Sequence, residues 1–313
     1  MTKKIGFIFP GQGSQYIGMG LDFYDNFSIF KQTFEECSDL LSVNISQLIF
    51  RGPGDELMLT KNSQIAIYVV GVGIYRVFKD LYSDITPSAV SGLSLGEYTA
   101  LTASNRLSFE DGVKLVRLRG ESMHAATLTH PGKMMVVLGM SPENVEKVLR
   151  AIDGVFIANL NCPGQVVISG EKNAVDKAFT VLSGSGAKKI LPLDVSGAFH
   201  SPLMNDARSQ LKEVIDNTKL YTGNAELVMN VTGSRVSKDE IKPNMVKQIT
   251  SPVLWHKGIV EMDSNLVDYF VEIGPGKTLK GMNRKIKTSA PTYNIDKIED
   301  MEKTASEVLH AIT

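Results

Sequence analysis

The sequence is poor in cysteine and in net charge, and each shortage excludes a class of protein. Only Cys37 and Cys162 occur among 313 residues. Two cysteines are too few for a disulfide framework, and neither lies in a metal-ligand spacing. With 33 basic and 34 acidic side chains, the formal net charge is -1, which gives no reason to expect a nucleic-acid groove. These features predict a reducing compartment, no structural metal and no nucleic-acid partner.

Long apolar runs are also missing. The longest run near the N-terminus, residues 5–10, is shorter than the hydrophobic region of a signal peptide. No stretch approaches the ~20 apolar residues that a membrane span requires. Hydrophobic residues make up 43% and charged residues 21%, as in ordinary globular proteins. We expect a soluble cytoplasmic monomer that does not bind membranes.

What the sequence does contain is a G-x-S-x-G pentapeptide centred on Ser94. A short apolar run leads into it, and a helix-permissive run, residues 95–103, follows it. A strand, a sharp turn and a helix form the context in which such a serine becomes an exposed nucleophile. Side chains at Gly92 and Gly96 would collide with neighbouring backbone in so tight a turn. The pentapeptide alone is equally compatible with an ordinary strand–helix turn.

Hydrophobic patterning predicts an α/β fold. Residues 5–9 form a continuous apolar run that a Gly-rich loop ends, which is typical of a central parallel strand. The spacing predicts one helix from a Ser63 cap to Leu81 and another from about Ser108 to Ala126. We also expect a short helix from Pro243 to about residue 249.

A change of pattern after His130-Pro131-Gly132 predicts an inserted unit. Strands at 133–139, 156–161, 165–169 and 189–195 alternate with helices from 141 and at 172–183. This β-α-β-β-α-β order is the ferredoxin-like pattern. We therefore predict an α/β-hydrolase-like parallel-sheet core, residues 1–130 and 199–313, and an inserted ferredoxin-like subdomain, residues 131–198.

A serine nucleophile needs a base, normally histidine, and position favours His200 among the five histidines. It follows the predicted strand in a strand-to-helix loop, where catalytic bases are commonly held. The others lie in helices (His124 and His310), in a Pro-Gly turn (His130) or after a tryptophan (His256). A lone histidine is often structural, so a purely structural His200 stays open.

Six segments together resemble one family. They are residues 9–15 (FPGQGSQ), 92–98 (GLSLGEY), 117–120 (RLRG), 161–170 (NCPGQVVISG), 197–204 (GAFHSPLM) and 272–276 (EIGPG). In this order they closely resemble malonyl-CoA:acyl-carrier-protein transacylases, the free-standing acyltransferases of type II fatty-acid synthesis. The resemblance covers residues 5–285.

The resemblance implies roles for particular residues. Ser94 would be the nucleophile that becomes malonylated, and His200 the base and later the acid. Gln248 matches the residue that orients the histidine through a backbone or amide oxygen. The N–H groups of Gln12 and Leu95 would form the oxyanion hole. The remaining positions would contact substrate: Arg119 the malonyl carboxylate, Phe199 the acyl group and Asn161 the thioester arm, although a turn-stabilising role for Asn161 is equally compatible.

Two positions are implied to select the acyl group, and one departs from the family. Leu95 after the serine and Phe199 before the histidine are the residue types that accompany malonyl rather than methylmalonyl. The residue before the serine is usually histidine, but here it is Leu93. This substitution removes a polar contact with substrate and no member of the catalytic set.

The implied function is transfer of malonyl from malonyl-CoA to the phosphopantetheine thiol of acyl carrier protein, by a ping-pong route without metal or redox cofactor. Because carrier proteins are acidic, a basic docking surface is expected; a solvated helix face is the plain alternative. The candidate residues are Lys188, Lys189, Lys277, Lys280, Arg284, Lys285 and Lys287.

Other functions remain open from the sequence. A G-x-S-x-G esterase or thioesterase would place an acid between serine and histidine. By chain order the candidates for that acid are Asp111, Asp153, Asp176 and Asp194. A catalytically silent carrier-binding relative and a supplier of polyketide synthesis are further alternatives.

Overall fold

The computed structural model describes residues 3–195 and 197–312, with side chains up to Val308, and this part contains ten strands, fourteen α-helices and one short 3-10 helix, Pro202–Met204. The strands are β1 (Ile5–Phe9), β2 (Ala89–Gly92), β3 (Gly132–Leu138), β4 (Val155–Cys162), β5 (Gln165–Glu171), β6 (Lys189–Pro192), β7 (Glu226–Met229), β8 (Ser234–Arg235), β9 (Tyr269–Ile273) and β10 (Thr292–Ile295). The helices are α1 (Leu21–Asn26), α2 (Ser28–Leu41), α3 (Ile45–Arg51), α4 (Gly54–Met58), α5 (Thr60–Leu81), α6 (Gly96–Ala103), α7 (Phe109–Thr129), α8 (Pro142–Leu149), α9 (Lys172–Gly184), α10 (Asn205–Asn217), α11 (Lys238–Gln248), α12 (Trp255–Asn265), α13 (Thr278–Ile286) and α14 (Ile298–Ile312).

The large sheet has the strand order β10-β9-β1-β2-β7-β8. Its first five strands are parallel, and β8 returns antiparallel to β7. All five residues of β1 are buried, as expected for a strand covered on both faces. The predicted parallel-sheet core with β1 at its centre is confirmed. Its strand ends bring the Gly-rich loop after β1 and the serine loop after β2 to one edge, where open α/β sheets place their sites.

A second, antiparallel sheet has the order β4-β5-β3-β6 and carries α8 and α9. In chain order its elements are β-α-β-β-α-β, so the predicted ferredoxin-like insertion is confirmed as a topology. The last strand ends at Pro192 rather than at 195; Leu193 N still donates to Met134 O, but Val195 N donates to Leu193 O instead of to β3. The domain boundaries at 131 and 198 stay a prediction.

Hydrogen bonds join this insertion to two loops of the rest of the chain. Leu160 N donates to Val253 O at 2.9 Å, and Val253 N donates to Ala158 O at 2.8 Å. The hydroxyl of Ser169 on β5 donates to Phe199 O at 2.7 Å. The insertion is therefore attached to the segment before His200 and to the segment after α11.

Some predicted helix ends were wrong. Helix α5 begins at Thr60, and Ser63 lies inside it because its N–H already donates to Leu59 O. Helix α11 begins at Lys238 rather than at Pro243, because Ser237 and Glu240 form a capping box before it. Helix α12 was not predicted. The predicted start of α7 near Ser108 is confirmed: the helix begins at Phe109, and the Ser108 side chain accepts from Asp111 N.

No helix among the described residues is long and apolar enough to cross a membrane.

Candidate active site

Ser94 stands at the apex of a turn that only glycine neighbours allow. Its backbone is left-handed, with φ at 52°, a conformation that strains a residue with a side chain. A Cβ at Gly92 would lie 1.9 Å from the carbonyl carbon of Gly96, and one at Gly96 would lie 2.2 Å from Phe9 O. The predicted steric requirement is confirmed. Asn230 supports the turn, since its Oδ1 accepts from Ser94 N at 2.7 Å and its Nδ2 donates to Gly92 O.

The serine and His200 form a hydrogen-bonded pair. Ser94 Oγ lies 2.8 Å from His200 Nε2, and His200 Nδ1 lies 2.8 Å from the backbone oxygen of Gln248. A carbonyl oxygen only accepts, so Nδ1 carries the proton and Nε2 is left to accept from the serine. This is the arrangement of a nucleophile and its general base.

The loop that carries His200 holds it in a strained conformation. His200 has a φ of 57°, which costs a non-glycine residue about 1–2 kcal/mol. Two hydroxyls brace the loop: Ser169 donates to Phe199 O, and Ser201 donates to Ala198 O at 2.6 Å. Sequence reasoning missed Ser169, because no local pattern marks a contact between residues 30 positions apart. Ser196 lies outside the described residues.

Arg119 is the buried cation of the site, with 1% of its surface exposed. Its Nη2 donates to Ser94 Oγ and to Gln248 Oε1, both at 3.0 Å, and its Nη1 donates to Gln64 Oε1 at 2.6 Å. Its guanidinium carbon lies 5.6 Å from the ring centroid of Tyr98. Its Nε has no acceptor among the described residues. The guanidinium therefore makes hydrogen bonds to neutral groups only and can still bind an anion.

Burial and this arginine together depress the basicity of the histidine. Burial is the larger cause, Arg119 adds to it, and hydrogen bonding to Gln248 opposes both; the pKa of His200 falls from 6.5 to about 4. The imidazole is therefore neutral near pH 7 and can accept a proton from the serine.

A pH profile tests this depression. Because the base must be neutral, the second-order rate constant for serine acylation should rise with pH through about 4 and stay flat above it. The measurement is quenched-flow acylation over the acidic to neutral range. An acidic limb centred on the ordinary value of 6.5 would contradict the depressed pKa. In Arg119→Met the limb should move to higher pH, because the second cause is removed.

A cavity of about 260 Å³ lies in front of this pair, between the two sheets. It brings together most of the predicted site residues: Gln12, Ser94, Arg119, Asn161, Phe199 and His200. Its apolar wall from the insertion comprises Met134, Val136, Val167, Leu193 and Val195. Asn161 is 5% exposed, and its Oδ1 has no partner among the described residues. Leu95 and Gln248 lie behind the lining, against Ser94.

The backbone N–H groups of Gln12 and Leu95 have no acceptor among the described residues. The side chain of Gln12 is held separately, since its Nε2 donates to Thr60 Oγ1 at 3.2 Å. Two free N–H donors from neighbouring strand-end loops are the composition of an oxyanion hole. The role of both groups stays a prediction.

The alternative of a Ser–His–Asp hydrolase lacks its acid. The partner of His200 Nδ1 is a carbonyl, and two of the candidate acids are engaged elsewhere. Asp111 accepts from Ser108, and Asp176 pairs with Lys133 at the surface. Among the other histidines, His130 pairs with Asp206 at the surface, and the His310 side chain lies outside the described residues.

Leu93 lines the cavity and packs against an apolar cluster that includes Trp255. It offers no polar group to a substrate, in agreement with the expectation for this substitution. Among the described residues no group of three or more His, Cys, Asp or Glu side chains is placed to hold a metal ion.

Comparison with known proteins identifies the family. The family model described as "Acyl transferase domain" matches residues 6–306. A malonyl CoA-acyl carrier protein transacylase from Bacillus subtilis is 41% identical over 305 residues, 96% of each chain, and one from Haemophilus influenzae is 38% identical over 91% of this chain and 92% of that one.

Solved structures agree with these relatives. The MCAT from Streptococcus pneumoniae has a TM-score of 0.92 at 37% identity and covers 97% of this chain and 100% of that chain. A malonyl-transacylase in complex with a type II PKS acyl-carrier protein has a TM-score of 0.94 at 33% identity and covers 97% and 99%. This chain therefore belongs to the acyl transferase domain family.

Proposed function

We propose that the protein transfers the malonyl group of malonyl-CoA to the phosphopantetheine thiol of an acyl carrier protein through a malonyl-Ser94 intermediate. The observation that carries the proposal is the buried guanidinium of Arg119, which lies 3.0 Å from the oxygen of a serine already paired with a histidine. Malonyl differs from acetyl by a carboxylate, and a guanidinium binds a carboxylate with parallel hydrogen bonds. The relatives named above support the same substrate and carrier.

The reaction divides into two balanced transfers. Ser94 Oγ forms a bond to the thioester carbonyl carbon while its proton moves to His200 Nε2. The C–S bond then breaks, and His200 returns the proton to the CoA sulfur. In the second half the carrier thiol gives its proton to His200 and attacks the serine ester, and Ser94 leaves and regains the proton. The N–H groups of Gln12 and Leu95 would stabilise the oxyanion in both halves.

No further reagent is needed for this sequence of steps, so the proposal includes no metal or redox cofactor. Water must be kept from the malonyl ester, or the protein becomes a hydrolase. Phe199 and the apolar wall of the cavity would exclude it, and Phe199, 5% exposed, would leave little room for a 2-methyl group. Asn161 would contact the thioester arm with its unpartnered Oδ1. We also propose that the protein acts as a cytoplasmic monomer; its two free cysteines agree with a reducing compartment.

Intact mass after brief mixing with malonyl-CoA tests the function. A single malonyl adduct that maps to the peptide containing Ser94 and disappears on addition of acyl carrier protein is the expected result. Acetyl-CoA is the control and should give little adduct. Released CoA without an adduct would favour a hydrolase, and neither CoA nor adduct would indicate a silent relative.

A basic patch of seven exposed residues is proposed to dock the acidic carrier. They are Lys188, Lys189, Lys277, Lys280, Arg284, Lys285 and Lys287. The patch reaches the cavity, because Lys285 Nζ donates to Oε1 of the lining residue Gln165 at 3.2 Å. The arm of a carrier bound there would enter the cavity directly.

Charge reversal tests the patch. Arg284→Glu with Lys285→Glu should lower discharge of preformed malonyl-enzyme by carrier protein roughly tenfold at low salt, and less at high salt, because screening weakens exposed charges. Discharge by free pantetheine, which lacks the acidic domain, should change little. A control that reverses one charge outside the patch is Lys31→Glu on α2, which should leave both rates unchanged. Equal losses with carrier and with pantetheine would contradict docking.

A further inference from the structure

A buried carboxyl group lies directly behind the nucleophile. Glu97 is the second residue of α6, three positions after Ser94, and 1% of its surface is exposed. Its Oε1 accepts the backbone N–H of Asn230, and its Oε2 accepts the side-chain amide of Gln248. Neither the sequence motifs nor the steps of the transfer assign it a role.

Gln248, one of the two partners of Glu97, contacts Ser94, Arg119 and His200. Its Nε2 also donates to Ser94 O at 2.9 Å, its Oε1 accepts from Arg119, and its backbone oxygen holds His200 Nδ1. The orientation of this amide is fixed from two sides, because Ser94 O requires a donor and Arg119 requires an acceptor. The Nε2 group must therefore point at Glu97, and Glu97 must accept.

The second partner, Asn230, holds the other side of the serine turn. Its side-chain oxygen accepts from Ser94 N at 2.7 Å, and its amide donates to Gly92 O at 2.8 Å. The backbone N–H of Asn230 donates to Glu97 Oε1. One carboxyl group thus joins the two residues that fix the strained serine turn, and one of these also contacts the base and the arginine.

We propose that Glu97 is a positioning residue for acyl transfer, whose two acceptor oxygens hold Gln248 and Asn230 and through them align Ser94, His200 and Arg119. The inference rests on the proposed malonyl transfer. This role requires two acceptor oxygens at position 97. A glutamine side chain has the same size but offers only one acceptor oxygen.

Glu97→Gln is the sharpest test, because it changes one oxygen into an NH2 group and little else. That NH2 would face either Asn230 N–H or the Gln248 amide, so one donor would meet another donor. Displacement of aligned reacting groups by about 1 Å typically lowers a rate about 10²-fold. We expect malonyl-serine formation to slow by roughly that factor, with little change in KM for malonyl-CoA. Preference for malonyl over acetyl should fall roughly tenfold, the effect of one hydrogen bond lost by Arg119.

The chain offers a matched control in Glu272. It is also fully buried, and its two oxygens accept the backbone N–H groups of Leu279 and Lys280. Burial raises the pKa of both carboxyls, and the two N–H groups that donate to each carboxyl oppose that rise because they favour its ionised form, in which both oxygens accept. Glu272→Gln should lower thermal stability in the same way and leave the malonyl-to-acetyl ratio unchanged. The ratio is the readout that a merely structural role of Glu97 would not move.

The possible results separate the inference from the proposed function. If the wild-type protein forms no malonyl-serine, the function itself fails. If it does, and folded Glu97→Gln keeps the wild-type rate and ratio or loses only what Glu272→Gln loses, the positioning role is wrong. Should Glu97→Gln not fold, Glu97→Asp keeps both acceptors but withdraws them from Gln248, and the same loss of rate and of ratio is expected. Unchanged values in Glu97→Asp would overturn the inference equally.

Discussion

Ser94→Ala is expected to abolish the acyl-enzyme and to lower malonyl transfer by at least about 10⁴-fold, because no other oxygen replaces the nucleophile. The variant should fold. Alanine makes the same backbone demands as serine, and the bond to Asn230 Oδ1 is donated by the backbone N–H of Ser94 rather than by its side chain. Intact mass after mixing with malonyl-CoA measures the adduct, and thermal denaturation verifies the fold.

Ser91→Ala supplies the matched control for this prediction. Ser91 lies on β2, is 2% exposed and donates to Val228 O at 2.9 Å, away from the cavity. The Ser91→Ala substitution removes a buried serine hydroxyl from the strand that leads to Ser94, and the variant should still form the adduct. A malonyl adduct that persists in Ser94→Ala would place the nucleophile elsewhere, and loss of the adduct in both variants would indicate damage to the sheet.

The elements that the sequence predicted are those in which a local steric rule decides the structure. A strand of five consecutive apolar residues is stable at the centre of a parallel sheet, where both of its faces are covered. The strand β1 lies there. Only glycine fits at positions 92 and 96, because a Cβ at either position would overlap backbone atoms. Ser108 before α7 illustrates the same locality, since its cap bond spans only three residues.

The missed features depend on contacts between distant parts of the chain. Asn230 reaches Ser94 across 136 positions and Gln64 reaches Arg119 across 55. The left-handed backbone of His200 is fixed by Ser169 on another sheet. Periodicity carries no information about such pairs. The start of α11 is different, because Ser237 and Glu240 form a capping box that was readable in the sequence.

Arg119, which supports the proposed function, has one feature that the local sequence predicts and one that depends on distant contacts. The helix pattern predicted that Arg119 lies on α7. On a helix, Arg119 and Arg117, which are two residues apart, point in different directions. Arg117 is half-exposed and pairs with Glu121 at 2.6 Å, whereas Arg119 is buried. Only the structure shows that this buried side reaches Ser94 Oγ.

Arg119→Ala is expected to remove the preference for malonyl. With the guanidinium gone, the rate constant for malonyl acylation should fall roughly 10²- to 10³-fold, as when a buried charged hydrogen bond is lost. Acetyl acylation should fall less, because an acetyl group leaves the wild-type guanidinium buried without an anion, a penalty that the variant no longer carries. Burial already lowers the pKa of Arg119, which is the sign of that cost. Competition between malonyl-CoA and acetyl-CoA for the serine measures the ratio directly.

Arg117→Ala is the control for this prediction. It tests whether the loss of malonyl preference requires the buried arginine of α7 rather than any arginine of that helix. It removes the same side chain from the same helix and breaks only a surface ion pair, worth about 0–1 kcal/mol. Its malonyl-to-acetyl ratio should equal that of the wild-type protein. If Arg119→Ala retained full malonyl selectivity, the carboxylate would have to bind elsewhere in the cavity. The unpartnered oxygen of Asn161 could not receive it, since an oxygen acceptor repels a carboxylate. The donors to examine would then be the amide nitrogen of Asn161 and the backbone N–H groups of Gln12 and Leu95.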